Sequence, residues 1–97
     1  MAFCTLLEWD SEFPFDRYGE MNDRAEGHGA LPDGCLSRIV GRVDAGAAII
    51  EVWRSSDDAG RFSEGHAHLL AEFKMPPPTR VAAFETSIFE SAPIGPA

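Results

Sequence analysis

The segment Ile49–Phe62, IIEVWRSSDDAGRF, decides the fold of this chain. Its first five residues form a strand-like apolar run, with apolar side chains on both faces, and the strand ends at Arg54. Ser55 and the acidic residues after it are typical of a helix start, because a hydroxyl accepts from free backbone N–H groups and carboxylates favour the positive first turn. The change of periodicity therefore predicts a strand, a turn and a helix in direct succession.

Apolar periodicity predicts six elements along the whole chain. They are a strand over Ala2–Asp10, a helix over Phe15–Ala25, a strand over Cys35–Val43, a strand over Ala47–Trp53, a helix from Ser55 that ends at Pro76–Pro78, and a strand over Thr79–Glu90. The short turn Asp44–Gly46 joins two of the strands as a hairpin. The tail Ser91–Ala97, which is rich in proline, is expected to be loose or to lie over a partner.

The order β-α-β-β-α-β specifies the fold class. With right-handed crossovers it gives an α+β, ferredoxin-like sandwich, in which four antiparallel strands carry two helices on one face. The first and third strands are apolar on both faces, so the far face of the sheet also needs a cover. A second copy of the same sheet is the simplest cover. We therefore predict a homodimer that pairs through the sheet face.

The composition limits the partners of the protein. The formal charge of −8 argues against nucleic acid and anionic membranes, because both attract clustered Lys and Arg. No apolar run approaches the roughly 20 residues that span a bilayer, and the N-terminus lacks the positive region of a signal peptide. Cys4 and Cys35 have no metal-ligand spacing. We expect one soluble cytoplasmic domain, residues 1–97, with reduced thiols, no metal, and acidic groups such as Asp57 and Asp58 on a solvated surface.

The stretch EVWRSSDDAGRF, the strand with Gly34 before it, and the strand after three prolines resemble the dimeric α+β barrel superfamily. The most similar branch is that of the antibiotic biosynthesis monooxygenase-like proteins, whose D/E-x-W-x-S pattern corresponds here to Glu51–Ser55 and is followed by an acidic helix start and Phe62. The resemblance covers Gly34–Glu90 best. It implies sheets paired face to face in a dimeric barrel. The superfamily includes cofactor-free monooxygenases, isomerases and haem-degrading enzymes.

Two residues around the second helix are the first candidates for chemistry. In cofactor-free oxygenases of the superfamily, a tryptophan near the position of Trp53 shapes the pocket, although an aromatic residue at a strand end is more often a core anchor. His66 lies on the apolar stripe of the helix and could be a general base or a ligand. The alternative is a buried histidine satisfied by a carbonyl or water. His68 lies about 200° further round the helix, so the two histidines cannot chelate one metal.

Three further residues are expected to line the same pocket. Tyr18 could hold a phenol or quinone oxygen, and Phe62 follows the tryptophan on the next helix; ordinary packing is the alternative for Tyr18. Arg38 is expected to pair with Glu51 across the hairpin, either as a structural ion pair or as a clamp for a substrate carboxylate. Haem-degrading relatives place a histidine where Ser63 stands here, which counts against haem.

Three functions follow from these observations. The first is an enzyme without a cofactor that acts on a small hydrophobic, aromatic or polyketide-like compound. In it, His66 abstracts a proton and the resulting carbanion reacts with oxygen or isomerises. The second is a non-catalytic dimeric binding or structural module whose inter-layer space is filled by side chains. The third is a haem-binding or haem-degrading relative.

Overall fold

The chain alternates strands and helices in the predicted order, in a computed structural model that describes residues 2–87. The elements are β1 (Phe3–Trp9), α1 (Phe15–Glu26), β2 (Cys35–Val43), β3 (Gly46–Trp53), α2 (Ser56–Glu72) and β4 (Arg80–Glu85). Neighbouring strands are antiparallel in the order β2-β3-β1-β4, and side chains from both helices face the same side of the sheet. The ferredoxin-like α+β sandwich predicted from the sequence is confirmed.

The second helix ends earlier than the prolines predict. α2 stops at Glu72 because Lys74 adopts a left-handed conformation with φ of 53°. The N–H groups of Lys74 and Met75 then donate to the carbonyls of Ala71 and Leu70, at 3.1 and 3.0 Å. This pattern is a Schellman motif, which satisfies the last carbonyls of a helix without proline. No helix among residues 2–87 is both long and apolar enough to cross a membrane.

The last strand is shorter than the prediction of Thr79–Glu90. Within the described residues, β4 covers Arg80–Glu85 and pairs with β1, from Glu85 opposite Phe3 to Arg80 opposite Glu8. Ile88–Glu90 and the predicted loose tail Ser91–Ala97 lie outside the described residues.

A β-bulge between Cys35 and Ser37 interrupts the alternation of side chains along β2. Cys35 pairs with Trp53, and Arg38 pairs with Glu51, so the two β2 residues lie on the same face of the sheet. Strict alternation along the predicted strand would place residues three apart on opposite faces, and the extra residue in the bulge explains the difference. Arg38 therefore faces the helices together with Cys35.

The start of α2 is held by a buried carboxylate, contrary to the prediction of a solvated one. Ser55 caps the helix by accepting from the Asp58 N–H at 3.2 Å, as the sequence predicts. The Asp58 carboxylate is itself buried and is contacted by the Ser55 hydroxyl, by Arg54 at 3.3 Å and by Arg61. Burial alone would raise the pKa of Asp58, but these three partners together lower it. Asp58 thus stabilises the helix start as an ion.

The inward face of α1 combines apolar and polar side chains. Met21 is fully buried, whereas Ala25 is exposed. Asn22 and Glu26, which are four residues apart, turn their polar ends inward instead. This places two polar side chains between α1 and the sheet.

Candidate functional site

The space between the sheet and the helices is a cavity of about 510 Å³. Residues of β1, β2, β3, β4, α1, α2 and the Met75–Pro78 segment line it, and most of its wall is apolar. Ligand pockets typically have volumes of about 300 to 1,000 Å³ and mostly apolar walls with a few polar groups. The inter-layer space is therefore large enough for a small molecule and is not filled by side chains.

A polar row crosses the floor of this cavity. Arg38, Glu51 and Thr5 are paired residues on the three adjacent strands β2, β3 and β1. Arg38 Nε donates to Glu51 Oε2 at 2.8 Å, and the Thr5 hydroxyl donates to Glu51 Oε1 at 3.5 Å. Both charged side chains are over nine-tenths buried. The Arg38–Glu51 ion pair predicted from the sequence is confirmed.

Three aromatic rings in contact form one wall of the cavity. Trp53, at 1% exposure, lies with its ring centre 5.1 Å from that of Phe62. Phe62 stacks on His66 at 4.5 Å with an interplanar angle of 26°. The Trp53 Nε1–H donates to the Thr5 hydroxyl at 3.4 Å, which ties this wall to the polar row. Trp53 is thus both a core anchor and part of the cavity lining.

His66 is held in its uncharged form. Its side chain is buried, and burial lowers its pKa because the imidazolium loses its hydration. The positive charge of Arg38 lowers it further, and His68 adds a smaller effect. An imidazole with a lowered pKa is free of its second proton at neutral pH, so it can accept one.

Tyr18 reaches the cavity from α1. Its ring packs 5.5 Å from that of Phe13, and burial raises the pKa of its hydroxyl, an effect that Arg38 partly offsets. The side chain of Asn22, one turn further along α1, approaches the same hydroxyl. Tyr18 is half-buried and is a neutral phenol at physiological pH.

The five residues singled out from the sequence line one cavity. They are Tyr18, Arg38, Trp53, Phe62 and His66. His68 is exposed. His28, in the loop after α1, is also exposed, and its Nδ1 lies 3.4 Å from the carboxylate of Asp23. Thr5 and Asn22 were missed, because a threonine in an apolar strand and an asparagine on a helix carry no distinguishing signal on their own.

A second cleft of about 560 Å³ lies between the two helices. His66 and Phe62 line both this cleft and the main cavity, so their rings form the partition between them. Glu26, at the end of α1, lines the cleft. Burial raises the pKa of Glu26, Arg38 lowers it and Glu51 raises it. The sequence analysis did not identify Glu26, although its spacing of eight residues from Tyr18 places both on one helical face.

Fold and cavity together define a ferredoxin-like α+β protein with a ligand-sized interior. Several solved structures share the architecture, and these include the following three. A protein from Chloroflexus aurantiacus named as an antibiotic biosynthesis monooxygenase aligns with a TM-score of 0.64 and 16% identity, covering 94% of this chain and 98% of that chain. MupZ from Pseudomonas fluorescens aligns with a TM-score of 0.64 and 15% identity, and the alignment covers 89% of this chain and 73% of MupZ. Rv0793 from Mycobacterium tuberculosis aligns with a TM-score of 0.56 and 17% identity, and the alignment covers 96% of this chain and 100% of Rv0793.

These likenesses confirm the resemblance drawn from the sequence at the level of the fold. Identities of 15 to 17% do not carry an activity from one protein to another. No family model matches the sequence, and no curated protein matches it. The function must therefore be argued from the cavity itself.

Proposed function

We propose that this protein is an enzyme that takes a small hydrophobic, aromatic compound into the cavity and abstracts a proton from it with His66. The observation that carries the proposal is an uncharged, buried histidine on the wall of a mostly apolar cavity. A general base needs a proton-free form at the working pH and access to the substrate. His66 meets both conditions, and Trp53 and Phe62 offer flat surfaces against which an aromatic ring can stack.

The polar row supports the same chemistry. Proton abstraction from carbon leaves a carbanion whose charge moves onto a neighbouring oxygen, and a buried cation stabilises such an oxyanion. Arg38 is that cation, and one of its five N–H groups already holds Glu51. For an anthrone, the carbanion would react with dioxygen, so that anthrone and one O₂ give the anthraquinone and one water. This balance requires no bound cofactor.

We expect His66→Gln to lower the turnover of such a substrate by at least about 100-fold, the scale of general-base catalysis. The assay would follow oxidation of 1,8-dihydroxyanthrone by absorbance and oxygen uptake, with EDTA and without any added cofactor. His68→Gln is the matched control, because His68 lies two residues away on the same helix and is exposed. Equal rates for the two variants would remove His66 from the mechanism. Oxygen uptake no faster than in buffer would remove the anthrone class.

We also propose that the protein is a homodimer that pairs through the outer face of its sheet. This face carries exposed apolar side chains at Ile39, Ile50 and Phe84, at 60%, 36% and 51% exposure, and Leu6 and Val52 lie among them. Exposed apolar areas of this kind mark association surfaces. A second copy is the fitting occupant because it presents the same surface in a two-fold arrangement.

Ile39→Glu is expected to convert the dimer into a folded monomer. The side chain is mostly exposed in the single chain, so a carboxylate there costs little without the partner but would be buried without a counter-ion in the dimer. Sedimentation velocity at several concentrations measures the change. Leu31→Glu, in an exposed loop, is the control that keeps the dimer. A wild-type protein that sediments as a monomer at all concentrations would contradict the proposal.

A further inference from the structure

Three polar side chains lie on one face of α1 at intervals of four residues: Tyr18, Asn22 and Glu26. The side-chain oxygen of Asn22 and both carboxyl oxygens of Glu26 are buried and have no hydrogen-bond partner among residues 2–87. Nearly all buried polar atoms in proteins have such a partner, so each exception needs an explanation. These three neighbouring acceptors therefore all lack a donor among the described residues.

A proton on Glu26 satisfies the group. The carboxyl then has an O–H that can donate to Oδ1 of Asn22, one helical turn away. Because Oδ1 of Asn22 then accepts from Glu26, the N–H₂ group of Asn22 points toward the Tyr18 hydroxyl. The Asn22 side chain lies close to that hydroxyl. The Tyr18 oxygen accepts this bond, and its own O–H is left to donate into the cavity that Tyr18 lines.

We propose that Glu26 sets the direction of this hydrogen-bond chain and so acts as a positioning residue for Tyr18. When Glu26 is protonated, the chain runs from Glu26 through Asn22 to Tyr18, and Tyr18 donates to a ligand. When Glu26 is ionised, the Asn22 amide turns its N–H₂ toward the carboxylate and Tyr18 donates to Asn22 instead. Tyr18 then offers a ligand in the cavity only a hydrogen-bond acceptor, the lone pair of its oxygen, and no donor. A ligand with a carbonyl oxygen is therefore preferred in the protonated state.

The charges around Glu26 favour the protonated form. Burial raises the pKa of Glu26, and Glu51 on β3 raises it further, whereas Arg38 on β2 lowers it. Arg38 is already bound to Glu51, so it is only partly available to a second carboxylate. The other titratable or charged groups that face this region are Cys35 on β2, His66, Arg61, His68 and Glu72 on α2, Arg24 on α1, and Asp33 in the loop. Arg24 and Arg61 are paired with Glu72 and Asp58.

The proton itself is tested without a ligand. The infrared C=O band of protonated carboxyls in the wild type should persist to a higher pH than in Glu26→Gln, and the difference is the titration of Glu26. Identical titrations would overturn the proposal, because Glu26 would then ionise with the exposed carboxyls.

Folding stability gives a second measure of the proton on Glu26. Folded Glu26 keeps its proton above the pH at which the unfolded chain loses it, so the stability it contributes is present at low pH and is lost as the pH rises. Glu26→Gln should lack this loss.

The coupling to Tyr18 is tested by a matched pair of variants. Tyr18 is the only tyrosine of the chain, so the ultraviolet absorbance of tyrosinate reports this residue alone. Glu26→Gln and Glu26→Leu both remove the charge, but only the Gln amide can donate to Asn22. We expect Tyr18 to ionise at a lower pH in Glu26→Gln than in Glu26→Leu, because Asn22 held in place stabilises the phenolate. If Tyr18 titrated identically in the two variants, Glu26 would act through its charge only. That result would overturn the proposed hydrogen-bond chain.

The effect on a ligand rests on the proposed function, and fluorenone and fluorene test it. The two probes differ only in the carbonyl, and neither titrates. In the wild type, the preference for fluorenone should fall by about 2- to 10-fold as Glu26 ionises, the value of one hydrogen bond. Glu26→Gln should keep the full preference at every pH. Tyr18→Phe should show a smaller preference that does not change as Glu26 ionises. Binding of both probes with no change of preference would overturn the inference. Binding of neither would count against the proposed function and leave the infrared and tyrosine tests to decide on the chain.

Discussion

Replacing Gly46 with alanine is expected to destabilise the protein by at least about 3 kcal/mol, the upper end of what overpacking costs. Gly46 is the first residue of β3 and is buried. A Cβ at this position would overlap the backbone carbonyl of Trp9 and would lie 3.1 Å from the carbonyl oxygen of Ser11. Both obstacles are main chain at the end of β1, so no side chain can rotate away. Chemical denaturation measures the loss, and the melting temperature should fall by more than about 10 °C.

Gly60→Ala is the matched control for this prediction. Gly60 lies inside α2, and no atom would come within 4 Å of an added Cβ. Because glycine is a poor helix former, the change is expected to stabilise the protein by up to about 1 kcal/mol. Opposite signs for the two substitutions would assign the effect of Gly46→Ala to the close approach of the Gly46 backbone to the main chain of Trp9 and Ser11. A loss below about 1 kcal/mol for Gly46→Ala would mean that the chain moves aside.

The sequence predicted the fold well because its apolar pattern changes period at clear points. The strand before Arg54 and the helix after Ser55 are separated by two residues, and a serine cap with acidic neighbours marks the boundary. Such signals are local, and each can be read from a few adjacent residues. The same is true of the hairpin, where β2 ends at Val43 and β3 begins at Gly46.

Three features of the fold were not predicted from the sequence. The bulge at Cys35 and Ser37 puts one extra residue into β2, and no residue type announces it. The early end of α2 depends on Lys74 in a conformation that glycine usually adopts. Asp58 lies three residues after the Ser55 cap, and its partners Ser55, Arg54 and Arg61 are all within four residues of it, so this burial had a local signal that the net charge of the region obscured.

The site was predicted in part for the same reason. Arg38, Trp53 and His66 are chemically distinctive residues in apolar surroundings, so they stand out in a sequence. Glu26 does not, because a glutamate at the end of a helix is usually solvated. Its burial follows from the approach of α1 to Arg38 and Glu51, which are distant in the chain.

Removing Arg38 is expected to cost about 3 to 5 kcal/mol of stability at neutral pH, the scale for breaking one partner out of a buried ion pair. In Arg38→Met, the Glu51 carboxylate would remain on the cavity floor, where the residue is only 5% exposed. Within the polar row, only the Thr5 hydroxyl, at 3.5 Å, would still donate to it. Chemical denaturation at neutral pH measures the loss against wild type.

The double variant Arg38→Met, Glu51→Leu separates the charge from the packing. Replacing both members of a buried ion pair with apolar groups of similar volume is often neutral for stability, whereas removing one is not. We therefore expect the double variant to recover most of the stability that Arg38→Met loses. If stability returns but oxidation of the anthrone does not, the row on β1, β2 and β3 is retained for chemistry. If the double variant is as unstable as the single one, the ion pair holds the sheet together, and the case for Arg38 as the cation of the cavity weakens.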